Sequence, residues 1–204
     1  VYYYFVFGGF VALALWLPKY YVGEYNMDLR TASLITMCFT LPSGLIRAFG
    51  GWLSDKYGAR NINWAVFWVC LVCLFIVSYP ETTYIVKGMS GDHRFSLGTN
   101  VWVFTSLIFV IGISQGIGKA SVYRIIHDYY PDNMGSVGGM VGVIGGLGGF
   151  TLPIFFGLAS DLLDVRSSCF MLLFGVVALC MIMMHVAIRN MRKAEGLDLQ
   201  RHIS

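Results

Sequence analysis

Apolar residues run along this chain in long unbroken stretches, roughly 2–22, 32–53, 62–79, 100–126, 136–162 and 167–189, with short polar links between them. Each stretch has close to the ~20 mostly apolar residues that a helix needs to cross a bilayer. Barrel strands would instead alternate apolar and polar positions over ~10 residues, and no stretch does so. The pattern predicts an all-α polytopic membrane protein with six transmembrane helices. EYNMDLR, SDKYGARN, HDYYPDNMG and DLLDVR are short links, and ETTYIVKGMSGDHRFSLGTN is a longer one between the third and fourth spans. A six-helix bundle over 1–189 is thus followed by a solvated basic tail, RNMRKAEGLDLQRHIS, over 190–204.

Composition narrows the class further. The 204 residues are 57% hydrophobic and 12% charged, against ~45–50% and ~25% in soluble domains. A water-soluble globule is excluded. The net charge of +3 is small and scattered, which gives no basis for nucleic-acid binding. All five cysteines lie inside apolar runs, and Cys70-x-x-Cys73 has no histidine or acid beside it. Neither a disulfide framework nor a zinc site is expected from them. Val1 already sits inside a hydrophobic span, with no basic leader and no cleavage site after it. The expectation is therefore a piece of a longer chain.

Lys and Arg set the orientation, because cytoplasmic loops carry the excess. One side collects Lys56, Arg60, Arg124, Arg189, Arg192, Lys193 and Arg201, and the other Lys19, Arg30, Lys87, Arg94 and Arg166. The bias places the C-terminal tail in the cytoplasm.

Two basic residues fit no loop. Arg47 lies in TMCFTLPSGLIRAFGGWL and Lys119 in VIGISQGIGKASVYRII. A charge in hydrocarbon costs at least ~2.5–3.5 kcal/mol, so it should face a bundle interior or an aqueous cavity. Glu24, Asp28, Asp55, Glu81, Asp92, Asp128, Asp132, Asp161, Asp164, Glu195 and Asp198 are all the acids, and every one falls in a link, at a span end or in the tail. No carboxylate of this chain is placed to neutralise either cation at mid-membrane, so a small anionic substrate is the natural counter-charge. Arginine suits that role because its planar fork holds a planar oxyanion bidentately. Lys119 carries two readings. It either couples a proton to anion binding, or it snorkels to the cytoplasmic interface and anchors its helix.

The fifth span, GSVGGMVGVIGGLGGFTLPIFFG, is dense in glycine. Gly138, Gly142 and Gly146 recur at i, i+4, and Gly145 and Gly149 make a second such pair. Spacing of this kind lets a neighbouring helix approach to backbone contact. Static packing and a rocking contact beside a substrate path both fit it. Pro153 interrupts the span, which a bundle tolerates when neighbours satisfy the freed carbonyl.

GGWLSDKYGAR resembles the G-x-x-x-D-x-x-G-x-R loop signature of the major facilitator superfamily, with Gly51, Asp55, Gly58 and Arg60 in place. In that signature a tight glycine turn lets the acid and the arginine meet helix termini on the cytoplasmic face. RAFGGWLSDKYG is similar to the segment of the nitrate/nitrite porter family that carries its second substrate-binding arginine. GGMVGVIGGLGGFTLPIFFG resembles that family's glycine-rich nitrate signature, including the closing F-x-x-P-x-x-F-G. Tyr3 and Phe7 fall where the family has a tyrosine and a phenylalanine four residues apart, and GIGKASVYRI resembles the tenth helix of its proton-coupled subgroup. Lys119 departs from the exchanger members.

The resemblance implies that the six spans form the C-terminal half of a twelve-helix major facilitator fold. It carries over substrate contacts to Arg47, Tyr3, Phe7, Gly145, Gly146, Gly148 and Gly149, and possible proton coupling to Lys119. The first arginine, a second glycine signature and an aromatic lid would lie in a missing N-terminal half, the partner of this one in the lipid bilayer. The implied activity is secondary active transport of nitrate and/or nitrite by alternating access, as proton-coupled uptake or nitrate/nitrite exchange, in the cell's inner (plasma) membrane. The alternative is transport of another small anion, such as an organic carboxylate. No cofactor, metal or catalytic residue is expected. The spans hold no G-x-S-x-G elbow and no paired aspartates, and His185 stands there without a second ligand. A channel should show rings of charge or carbonyl-rich half-helices, and the sequence shows neither.

Overall fold

A computed structural model describes the backbone of residues 1–88 and 91–203 and the side chains of 1–85 and 98–191. Six helices in it are long and apolar enough to cross a membrane. The first, α1, begins as a π-helical segment, Tyr4–Gly9, and continues as α-helix over Phe10–Tyr25. It is followed by α2 (Leu29–Tyr57), α3 (Ala59–Val77), α4 (Val101–Tyr129), α5 (Met134–Leu163) and α6 (Ser168–Ile203). The chain is a multi-pass membrane protein with the architecture expected for half of a major facilitator fold. Large apolar side chains such as Leu45, Trp102 and Leu162 are 81%, 78% and 82% exposed. Lipid tolerates them, because hydrocarbon is as apolar as a protein core.

Local chemistry sets the helix ends. Asp28 caps α2 by accepting from the Thr31 amide at 3.0 Å, and Asn100 caps α4 by accepting from the Trp102 amide at 2.9 Å. Such side chains satisfy donors that the first helical turn leaves orphaned. Hydrogen bonding from Thr31 also holds the Asp28 carboxyl below its usual range. Gly58 has φ +84° between α2 and α3, a conformation that side chains rarely adopt.

Two features depart from the sequence reading. The long link after α3 holds an antiparallel hairpin of Thr82–Gly88 and Gly91–Leu97, registered from Thr82 opposite Leu97 to Gly88 opposite Gly91. Thr82, Thr83, Tyr84, Ile85 and Val86 are β-branched or aromatic and favour such a ribbon. The last helix also runs on to Ile203, through the segment expected to be a tail, whose side chains beyond Met191 lie outside the described residues.

Packing follows the small residues. Helix α4 lies against α2 and α3, and α5 against the start of α1. A Cβ at Gly116 would meet the Ser43 carbonyl at 2.5 Å, and one at Gly50 would meet the Ile117 Cα at 2.7 Å. The α2–α4 seam is thus a second backbone-close contact, beside the one expected of α5. At one end of the bundle Arg124 pairs with Asp55 and Asp128, each at 3.2 Å, and at the other Arg166 pairs with Glu24 at 3.4 Å. A cluster of Tyr20, Tyr21, Tyr25, Phe104 and Phe170 fills the core toward the Glu24 end.

Candidate functional site

Three helix-face pairs, each spaced i, i+4, converge midway along the bundle: Tyr3 and Phe7 on α1, Ser43 and Arg47 on α2, and Lys119 and Tyr123 on α4. Residues at that spacing share a helix face. The Tyr3 and Phe7 rings stack with centroids 5.2 Å apart and planes 4° from parallel. Helix α5 supplies the floor beneath them. A Cβ at Gly145 would lie 2.5 Å from the Tyr3 ring and 3.1 Å from the Phe7 ring, so only glycine admits both. One turn on, a Cβ at Gly8 would meet the Gly148 Cα at 2.6 Å, which brings the two backbones together. Gly149 packs against Val11.

Phe7 lies in the π-helical segment of α1, and Tyr3 stands at its N-cap. Such segments leave i→i+4 hydrogen bonds unmade and recur at functional sites. Gln115 of α4, fully buried, donates from Nε2 to the Phe5 carbonyl at 3.4 Å within this segment. The Tyr4 and Thr151 hydroxyls meet at 2.7 Å, tying the same segment to α5.

The two intramembrane cations sit differently. Arg47 is exposed on the open face of the bundle, its Cζ 5.7 Å from the centre of the Tyr123 ring. Lys119 is only 5% exposed, so it does not snorkel to an end of this bundle. Its Nζ donates to Ser43 Oγ at 3.3 Å and lies 3.1 Å from the centre of the Phe10 ring. The Arg47 charge acts electrostatically on both Lys119 and Tyr3. Among the described residues, no carboxylate pairs with either cation. The group is therefore electropositive and aromatic. Such a group can take a small anion and partly dehydrate it.

Not every glycine named from the sequence joins this floor. Gly138 and Gly142 turn toward Tyr123, whereas a Cβ at Gly146 would meet nothing within 4 Å. The expected bare stripe of Gly138, Gly142 and Gly146 is thus split. Because α5 turns ~100° per residue, positions 145, 148 and 149 take the α1 side and 146 faces outward. The residues of the loop signature likewise take separate places. The turn is made by Gly58 alone, and Gly51 lies within α2 with open space around it. Asp55 pairs with Arg124 of α4 rather than with a helix terminus. Arg60 lies over the Tyr129 ring at 5.7 Å and donates toward the Met191 sulfur at 3.8 Å.

Sequence reasoning missed Ser43 and Tyr123. Each stands four residues from a named cation, Ser43 before Arg47 and Tyr123 after Lys119. That helical spacing was the available signal.

Comparison with known proteins bears on the family. The model of the Major Facilitator Superfamily matches residues 1–201. The chain is 39% identical over 203 residues to the Thermus thermophilus protein named probable nitrate/nitrite antiporter NarK1, covering 98% of this chain and 45% of that one. It is 27% identical over 181 residues to the Staphylococcus epidermidis protein named probable nitrate transporter NarT, covering 88% and 42%. It is 29% identical over 154 residues to the nitrite extrusion protein of Bacillus subtilis, covering 76% and 34%. The chain spans about half the length of the curated relatives it matches, or less.

Proposed function

From the premise that this chain belongs to the major facilitator superfamily, we propose that it forms the C-terminal half of a secondary active transporter for nitrate and/or nitrite. Arg47 holds the anion, and Tyr3 and Phe7 shape and dehydrate its pocket against Gly145. Gly148 and Gly149 let α5 move beside it. The exposed face of α2 that carries Arg47 receives a preceding six-helix half of the same polypeptide. Superfamily halves are related by an axis along the membrane normal, with the site at their interface. The whole protein sits in the cell's inner membrane with its C-terminus in the cytoplasm. It works by alternating access and has no catalytic residue.

The observation that carries this reading is the pair of unneutralised cations, Arg47 and Lys119, gathered with aromatic rings at the middle of a membrane bundle. A charge placed there is costly unless something of opposite sign meets it. The names of the relatives quoted above support nitrate and nitrite as that partner. As the anion enters it leaves bulk water, the effective dielectric falls, and its attraction to Arg47 strengthens. One charge and a few hydrogen bonds in each half keep binding strong enough to select the ion and weak enough to release it.

Lys119 adds proton coupling to this scheme. Its amine can bind a proton when the anion arrives and lose it when the anion leaves, without any carboxylate in the path. Transport would then be symport, with nitrate/nitrite exchange as the uncoupled limit. The test is tracer nitrate uptake by full-length protein in liposomes, driven by an inward proton gradient in one arm and by internal nitrite in the other. Accumulation under the proton gradient is expected. Uptake only against internal nitrite would reduce the mechanism to exchange. Preference for an organic carboxylate over both ions would contradict the substrate assignment.

A further inference from the structure

Tyr123 of α4 contacts α1, α2 and α5 around the proposed anion site. Its ring lies 5.7 Å from Arg47 Cζ of α2, meets the Tyr3 ring of α1 edge-on at 5.1 Å, and its hydroxyl donates to the Gly138 carbonyl of α5 at 3.5 Å. Gly138 and Gly142 face it, with Cβ positions that would stand 3.4 Å and 3.7 Å from the tyrosine, at ordinary contact distance.

We propose that Tyr123 is a positioning residue that holds the Arg47 guanidinium in its anion-binding place through the face of its ring. The inference rests on the reading of Arg47 as the anion ligand. A guanidinium on an exposed face needs something to fix it, and the usual fixing group is a carboxylate. A carboxylate, however, would fill the same planar fork of N–H donors that an oxyanion needs. An aromatic face is attracted to the charge and leaves the donors free. The site thus keeps its arginine ordered without supplying an internal competitor for the substrate. The edge-on contact with Tyr3 sets the ring's angle, and the bond to Gly138 fixes its reach toward α5. Motion of α5 is thereby passed to the arginine.

The experiment replaces Tyr123 in the full-length transporter by phenylalanine and by 3,4,5-trifluorophenylalanine. These match in shape but differ in the electrostatic attraction of the ring face. KM and turnover for nitrate are read in counterflow for both, and for Arg47→Lys alone. The expected result is a KM about five-fold higher for the trifluoro variant than for phenylalanine, with turnover changed less than KM. Equal KM for the two rings, with Arg47→Lys itself impaired, would overturn the role of Tyr123 and leave Arg47 as the ligand. Wild-type KM in Arg47→Lys would overturn the anion-site reading itself. Phenylalanine at this position removes one hydroxyl, and both variants keep the packing of a six-membered ring.

Discussion

Lys119 meets a hydroxyl and an aromatic ring but no carboxylate among the described residues, and it is 5% exposed. An anchor at the membrane interface would have reached an end of its helix, so the snorkelling alternative finds no support in this half. Lys119→Met retains the length of the stem and removes the titratable group. The expected outcome is loss of proton-driven nitrate accumulation with anion exchange retained, measured as uptake at several external pH values. Unchanged pH dependence in this variant would end the coupling proposal. Much of the residue scale was legible in advance. Arg47 and Lys119 stand out in any hydropathy pattern, because a cation amid apolar runs is costly. Ser43 and Tyr123 do not stand out, since a serine and a tyrosine in a membrane helix raise no such alarm. Only the fold brings Ser43 to the Lys119 amine and Tyr123 to the Arg47 guanidinium.

Among the elements, α5 and the start of α1 form a seam that glycine makes possible, and the structure separates its members by role. Gly145 underlies the Tyr3 and Phe7 rings, Gly8 and Gly148 bring the backbones together, and Gly146 points into open space. Gly145→Leu should therefore arrest turnover more than it lowers the amount of protein in the membrane, because the added side chain displaces the aromatic pair. Gly148→Ala should cost about 1–3 kcal/mol of stability through overpacking, seen as a lower melting temperature in detergent. Failure of Gly145→Leu to accumulate would favour a purely static seam. The sequence marked α5 as a packing helix by its spacing, but spacing alone gives a face only relative to a neighbour not yet placed. The 138–142–146 stripe was therefore assigned as one face, and the structure divides it, with Gly138 and Gly142 toward Tyr123 of α4 and Gly146 in open space. The hairpin after α3 escaped notice for a related reason. Its strands are short, are bounded by glycine, and sit in a segment whose polarity reads as a link. The π-helical opening of α1, where the buried Gln115 donates to the Phe5 carbonyl, has no sequence signature either.

For the whole molecule, the bundle divides into a charged end, an aromatic end and an electropositive waist open on one face. Six spans were readable from the run of apolar stretches alone, because lipid requires ~20 apolar residues for each crossing. What faces the open side was not readable from the chain, and the proposal that a second half closes it rests on the superfamily architecture. The central claim is that Arg47 binds the transported anion through its planar fork. The measurement that tests it most directly is nitrate transport by full-length Arg47→Lys protein in liposomes, compared with wild type at matched protein density. A lysine keeps the charge and loses the bidentate geometry. The account predicts normal insertion with a fall of about ten-fold or more in kcat/KM, about 1.4 kcal/mol of lost transition-state stabilisation. Nitrate affinity and turnover close to wild type in that variant would contradict it.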